Sequence, residues 1–253
     1  MSFFEKIAYV WKNYNATLFS GVGNTILLAL VGTVFGLIIG ILIGVVRTLP
    51  KSKNKFVRFL MRVVNAIFMV YIEVFRGTPM MVQAMVIFYG YARITGVMLP
   101  VMTSGIVIVS INTGAYMAEI VRGGIISIDK GQFEGAHAIG MNHWQTMMNV
   151  IIPQVMRNIL PSVSNEFVIN IKDTSVLNVI YVTELFFMAN IAASDTNMVL
   201  ETYVIVSLMY LVMTFTVTRL LRLVERLLAG KKDYTICGSQ SDPAAEIHVK
   251  EAH

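Results

Sequence analysis

The chain has 253 residues, of which 56% are hydrophobic and only 14% charged. A soluble domain carries about 25% charged residues, so this composition excludes a water-soluble globular protein and points to one integral to a membrane. The net charge of +5 would suit nucleic acid, but the basic residues flank apolar runs and so suit anionic inner-leaflet lipid, and no nucleic-acid partner is expected. The single cysteine, Cys237, lies in a polar stretch and excludes a disulfide framework or a cysteine metal cluster.

In chain order, residues 1–20 are aromatic and of mixed charge, with Glu5 and Lys6 early. They lack the apolar core and small-residue cleavage site of a signal peptide and are expected to form an extracytoplasmic N-terminal segment. Residues 21–46 hold no charge and match the roughly 20 residues that cross a bilayer. Gly32, Gly36, Gly40 and Gly44 recur every fourth position there, which predicts one bare helix face against which another helix packs.

Arg47, Lys51, Lys53, Lys55, Arg58 and Arg62 then form a basic hinge with Pro50 and no acid. Residues 63–91 are a second apolar stretch, interrupted by Glu73, Arg76 and Gly77-Thr78-Pro79. Residues 97–118 form a third span, and residues 120–149 a polar loop with two short helices. Residues 151–171 are a fourth span, kinked by Pro161 and carrying Glu166, with Lys172 and Asp173 at its end. Residues 176–193 are apolar but broken by Glu184, and either re-enter the membrane or lie on it. Residues 202–218 are the last span, and residues 233–253 are polar and expected to lack regular structure.

These elements predict an all-α, polytopic membrane protein with about five transmembrane helices, divided as 1–20, 21–228 and a cytoplasmic tail 229–253. The positive-inside rule sets the orientation. With the N-terminus outside and five spans, the basic hinge, the 120–149 loop and the C-terminal basic residues all face the cytoplasm.

The loop 131–153 reads GQFEGAHAIGMNHWQTMMNVIIP. Residues 132–139 have helical composition, Gly140 suits the C′ position that ends a helix, and Asn142 with Gln145 suits a capping box that opens a second. Gly135, Ala136 and Ala138 keep the first helix slim enough to lie in a partner's groove. Composition alone leaves an ordinary connecting loop as the alternative.

The pattern Glu134-Gly135-Ala136, Gly140 and Val150-Ile151-Ile152-Pro153 resembles the EAA loop of ABC importer permeases. It departs from that loop at Gly135, where alanine is usual, and at Ile152, where leucine is usual. The stretches YIEVFRGTP (71–79), NTGAYMAEIVRGG (112–124) and IKDTS (171–175) resemble the polar-amino-acid branch of that family. The resemblance implies the type I importer permease fold in a bacterial cytoplasmic membrane. It also implies a second permease chain, two ATPase subunits that carry the ATP and magnesium, an extracytoplasmic solute-binding protein and a polar amino acid as cargo. Glu134, Gly135, Ala136 and Gly140 would then dock the ATPase.

Charge inside the membrane points to a pathway. A charged side chain at the bilayer centre costs about 2.5–3.5 kcal/mol on insertion scales, so it is kept where it pairs or lines a wet cavity. Glu73 and Arg76 are spaced to share a helix face beside a helix break, where free backbone groups can hold ions or zwitterions. Lys172 and Asp173, being adjacent, point about 100° apart. Together with Asn112 and Glu166 these residues are candidate pathway groups for a zwitterion. The alternative is a structural or surface-snorkelling role.

None of His137, His143, His248 and His253 has the i,i+4 spacing of a common zinc site, and no GxxxxGK[ST] loop occurs. No catalytic or metal residue is therefore expected, no cofactor on this chain, and ATP hydrolysis is expected on a separate polypeptide. The rival classes are an ion-coupled transporter or channel, a membrane enzyme and a membrane scaffold. The first usually shows an internal repeat, which this sequence lacks.

Overall fold

In the computed structural model, residues 1–50, 53–228, 234–237 and 246–249 are described. Helix α1, Phe3–Thr48, is 46 residues long, about 69 Å. The boundary expected at residue 20 is not a structural break. Ser2 and Glu5 form a capping box that starts the helix, and Lys6 pairs with Glu201 at 3.3 Å. Val10 and Leu18 are fully buried, so one apolar stripe carries the helix through its mixed-charge opening.

The glycine ridge does what its spacing predicts. A Cβ at Gly36 would lie 2.7 Å from Thr113, and one at Gly44 2.7 Å from Val121, while Gly32 and Gly40 press on Val109 and Met117. All four partners lie on α4, Val101–Ile126. Both sides of the seam advance by four residues together, so α1 and α4 run parallel, with one set of i±4 ridges against the other. Arg47 of α1 and Arg122 of α4 both pair with Glu119 at the far end of the seam.

Because α1 and α4 are parallel, the chain between them must return to its starting side. Helices α2, Lys55–Gly77, and α3, Met80–Thr95, make that crossing as a broken pair. The break falls where Pro79 removes a backbone donor and restricts Thr78 to extended backbone. Half of the basic hinge is thus the first turns of α2, opened by the Asn54 side chain accepting from the Phe56 N–H.

Helix α5, Lys130–Ala138, and α6, His143–Thr146, follow α4. A π-helical turn, Met147–Ile151, then leads into α7, Ile152–Asp173. The widened turn accommodates Pro153, and α7 passes through Pro161 without ending. A 3₁₀ segment, Thr174–Ile180, and helix α8, Leu185–Thr196, continue the path.

Contacts with α1 decide whether this segment turns back. Asn170 bonds Thr33, Asn24 bonds Thr183, Leu185 meets Gly21 and Tyr14 bonds Asp195. The partners climb α1 steadily from Thr33 to Tyr14, about 28 Å of helix. The segment therefore continues along α1 as one path bent by 57° and does not turn back on itself. Glu184, read as an interruption, is the N-cap of α8: its carboxylate accepts from the Phe186 and Phe187 N–H groups at 2.7 Å each.

Helix α9, Val199–Leu228, starts beside the beginning of α1 through Lys6–Glu201. Its later residues Thr214 and Thr218 lie beside Lys172 of α7, level with the middle of the bundle. It runs parallel to α1 and, unlike the expected span of 202–218, includes Arg219, Arg222 and Arg226 in its last turns.

Helices α1, α4 and α9 are each long and apolar enough to cross a membrane, and the bent α7–α8 pair is a fourth such unit. The α2–α3 pair returns the chain between the parallel α1 and α4, although it is not among the helices apolar and long enough to qualify as a span. The polar stretch after α9, expected to lack regular structure, includes two short antiparallel strands. These are β1, Tyr234–Cys237, and β2, Glu246–Val249, with Tyr234 opposite Val249. The remainder of that stretch lies outside the described residues.

Candidate functional site

The α2–α3 break leaves carbonyls without helical partners, and two side chains collect them. Gln83 Nε2 donates to the Phe75 carbonyl at 2.9 Å and to the Thr78 carbonyl at 2.8 Å. Asn112 Nδ2 donates to Gln83 Oε1 at 2.8 Å and to the Phe75 carbonyl at 3.3 Å. Both amides are buried. Asn112, expected as a pathway residue, is committed through its amide nitrogen to holding the break.

Arg76, on the turn before the break, lays its guanidinium 5.4 Å from the centroid of the Tyr116 ring. Among the described residues no ion pair joins it to Glu73, so the shared helix face does not produce the expected partnership. Both side chains are exposed on the single chain.

Helix α7 carries the remaining candidates. Glu166 is 8% exposed. Asp173 lies two turns along from Glu166, on the same face as Asn170. Lys172 points elsewhere, into a groove against α9 beside Arg219 and Arg222. The structure thus commits Asn112 to the α2–α3 break and turns Lys172 toward α9, while Glu166 lies buried on α7 with Asp173 two turns along the same face.

Between these residues and α1 sits a polar knot that sequence reasoning missed. Asn170 Nδ2 donates to Thr33 Oγ1 at 2.9 Å and to Thr113 Oγ1 at 3.0 Å, with all three side chains buried. It ties α1, α4 and α7 together at one level. The available signal was spacing: Asn170 stands one helical turn from Glu166. Gln83 and Tyr116 were also missed. Each is a single polar or aromatic residue in an apolar run, which composition cannot distinguish from core.

The loop between α4 and α7 is built as expected, with α5 starting two residues and ending one residue earlier than its composition suggests. Asp129 caps α5 by accepting from the Gly131 N–H at 2.7 Å. Gly140 ends it with φ +83°; its N–H donates to the His137 carbonyl and that of Met141 to the Ala136 carbonyl, a Schellman motif. Asn142 and Gln145 form the expected capping box of α6.

Glu134 and Gly135 are exposed, and a Cβ at Gly135 would meet nothing, so this side of α5 is bare. Ala136 is 5% exposed and faces inward. Phe133 packs into a cluster of Val121, Ile125, Met147, Ile151 and Val155, which seats α5 on the ends of α4 and α7. Ile139 and Trp144 project from the loop at 75% and 67% exposure. Among the described residues no three His, Cys, Asp or Glu side chains are placed to hold a metal ion.

Three long apolar helices with a bent fourth unit, a polar helix break inside the bundle and a capped helix pair projecting from one face describe a polytopic membrane protein. The chain belongs to the family described as binding-protein-dependent transport system inner membrane component, which matches residues 36–230. It is similar to the L-cystine transport system permease protein TcyB of Bacillus subtilis, 34% identical over 220 residues that cover 87% of this chain and 89% of the relative. The glutamine transport system permease protein GlnP of Escherichia coli is 36% identical over 210 residues, 83% of this chain and 91% of that protein.

Among solved structures, an amino acid ABC transporter crystallised with histidines superposes with a TM-score of 0.73 at 35% identity, over 90% of this chain and 99% of the other. The MetNI methionine ABC transporter, at 18% identity and a TM-score of 0.64 over 82% of this chain and 95% of the other, shares the fold.

Proposed function

We propose that this chain is the permease subunit of an ATP-driven importer for a polar amino acid. The observation that carries the reading is the α5–α6 hairpin: bare and exposed at Glu134 and Gly135, capped at both ends, and seated by Phe133 on α4 and α7. A pull on α5 is passed directly to two spans. Full-length similarity to permeases for cystine and glutamine supports the cargo class.

In this reading a separate ATPase, with its ATP and magnesium, docks on the exposed Glu134, Gly135 and Gly140, while Ala136 faces inward and keeps α5 close to the spans. The basic residues at the ends of α1 and α9 support an orientation with that face in the cytoplasm and the N-terminus outside. Glu73, Arg76 and Asp173 are exposed on the single chain at membrane depth, which favours a second permease chain enclosing a wet pathway. A solute-binding protein delivers the amino acid from outside. Its ammonium finds Glu166 and Asp173, and its carboxylate finds Arg76. The ATPases closing together draw the α5 helices inward and turn the pathway outward. Hydrolysis returns it, and the cargo moves because its affinity differs between the two states.

The test is uptake of radiolabelled cystine, glutamine, arginine and histidine into proteoliposomes holding the complex purified through a tag on this chain. Accumulation of at least one of them that needs ATP and binding protein supports the reading. Uptake driven by an ion gradient without ATP overturns it in favour of a secondary transporter.

A further inference from the structure

The basic hinge after α1 is only partly explained by topology. Arg58, Met61, Arg62, Asn65, Met69 and Val70 of α2 close over Leu49 and Pro50 to form a cavity of about 660 Å³. Its lining divides into two guanidinium groups near the start of α2 and methionine and valine side chains further along. Phe56, Phe59 and Leu60 beside it are 73%, 61% and 50% exposed, so the surrounding surface is apolar and uncovered on the single chain. Asn65 Oδ1 is buried with no hydrogen-bond partner among the described residues, and a buried amide oxygen requires a donor.

We propose that this cavity seats one anionic phospholipid with a hydroxyl-bearing headgroup, of the phosphatidylglycerol type. The phosphate sits against Arg62 and Arg58, the acyl chain lies along Met61, Met69 and Val70, and a glycerol hydroxyl donates to Asn65 Oδ1. Charge complementarity identifies the occupant. Residues 47–62 hold Arg47, Lys51, Lys53, Lys55, Arg58 and Arg62 and no acid, and basic pockets between membrane helices select anionic headgroups. The buried acceptor makes the headgroup specific, since a hydroxyl satisfies it and a bare phosphate monoester ion does not. A seat at the α1–α2 corner would hold the hinge through which α1 passes to the broken α2–α3 crossing.

Native mass spectrometry of the full chain in detergent, titrated with phosphatidylglycerol, phosphatidylcholine and phosphatidic acid, tests this. Each arginine supplies about a fivefold preference, so phosphatidylglycerol is expected to be retained roughly 30-fold over phosphatidylcholine, and the joint variant Arg58→Gln with Arg62→Gln to lose most of that. Asn65→Leu is expected to weaken phosphatidylglycerol about fivefold while leaving phosphatidic acid unchanged. Arg219→Gln with Arg222→Gln, the same charge change elsewhere, leaves the preference intact. A photoreactive benzoylphenylalanine at Met69, irradiated in native membranes, is expected to carry lipid adducts whether or not the arginine variant folds. Equal retention of phosphatidylglycerol and phosphatidylcholine overturns the proposal, as does displacement of the lipid by inorganic phosphate. Crosslinking of the Met69 probe to a second copy of the chain overturns it too, because protein then covers the cavity.

Discussion

Gly36 of α1 and Thr113 of α4 approach so closely that a Cβ on the glycine would stand 2.7 Å from the threonine Cβ. The same threonine hydroxyl accepts from Asn170 at 3.0 Å. One backbone approach and one hydrogen bond thus join the parallel seam of α1 and α4 to α7.

Gly36→Val is expected to destabilise the protein by about 1–3 kcal/mol, the cost of overpacking a filled interface. Gly23→Ala serves as the contrast, because a Cβ there meets nothing and the helix loses a flexible residue. Thermal unfolding in detergent should place the first variant well below the parent and the second at or slightly above it.

Asn170→Leu removes the bonds to Thr33 and Thr113. Polar bonds between membrane helices contribute about 0.6 kcal/mol on average and up to ~1.7, so a loss of about 1–2 kcal/mol is expected. Unfolding in detergent measures it, and Thr33→Val combined with Thr113→Val should cost a similar amount.

Gln83→Leu strips the donor from the Phe75 and Thr78 carbonyls at the α2–α3 break. Leaving buried groups unmatched costs about 1–3 kcal/mol, and uptake should fall with stability. Asn112→Leu acts on the same network, so a double-mutant cycle should show the two losses to be less than additive.

Glu184→Ala removes the carboxylate that caps α8 and should cost about 1 kcal/mol. Glu184→Gln keeps an acceptor and should recover part of that. Hydrogen exchange at Phe186 and Phe187 is the direct readout, since both amides donate to this side chain.

Much of this architecture is visible before any coordinates. The four glycines, Gly140 and the Asn142–Gln145 box are local signals, because each states a requirement of one backbone position, and each appears as expected. The course of 176–193 is not local. Glu184 reads as an interruption until α1 is seen beside it, when Thr183, Leu185 and Asp195 line up along one neighbouring helix. The opening of α1 is similar, since Lys6 looks like a surface charge until Glu201 of α9 is beside it. For the site, charge alone selects Glu166 and Asp173, which share a face of α7, and Arg76, which lies against Tyr116. It also selects Lys172, which points to α9. It passes over Gln83 and Asn170, whose importance comes from the carbonyls and hydroxyls of other helices.

The central claim is that the hairpin of α5 and α6 is the seat of a separate ATPase, and co-purification tests it most directly. A tagged chain is extracted from its native membranes in mild detergent, as the parent and as Glu134→Arg and Gly140→Trp. The account predicts an ATPase subunit with the parent. It predicts loss of that subunit from both variants, while unfolding of the membrane region stays within about 0.5 kcal/mol of the parent for Glu134→Arg, as for a surface change, and is lowered by about 1–3 kcal/mol for Gly140→Trp, because the φ of +83° there strains any side chain. An ATPase that stays bound to both variants, or none with the parent in several detergents, would contradict it.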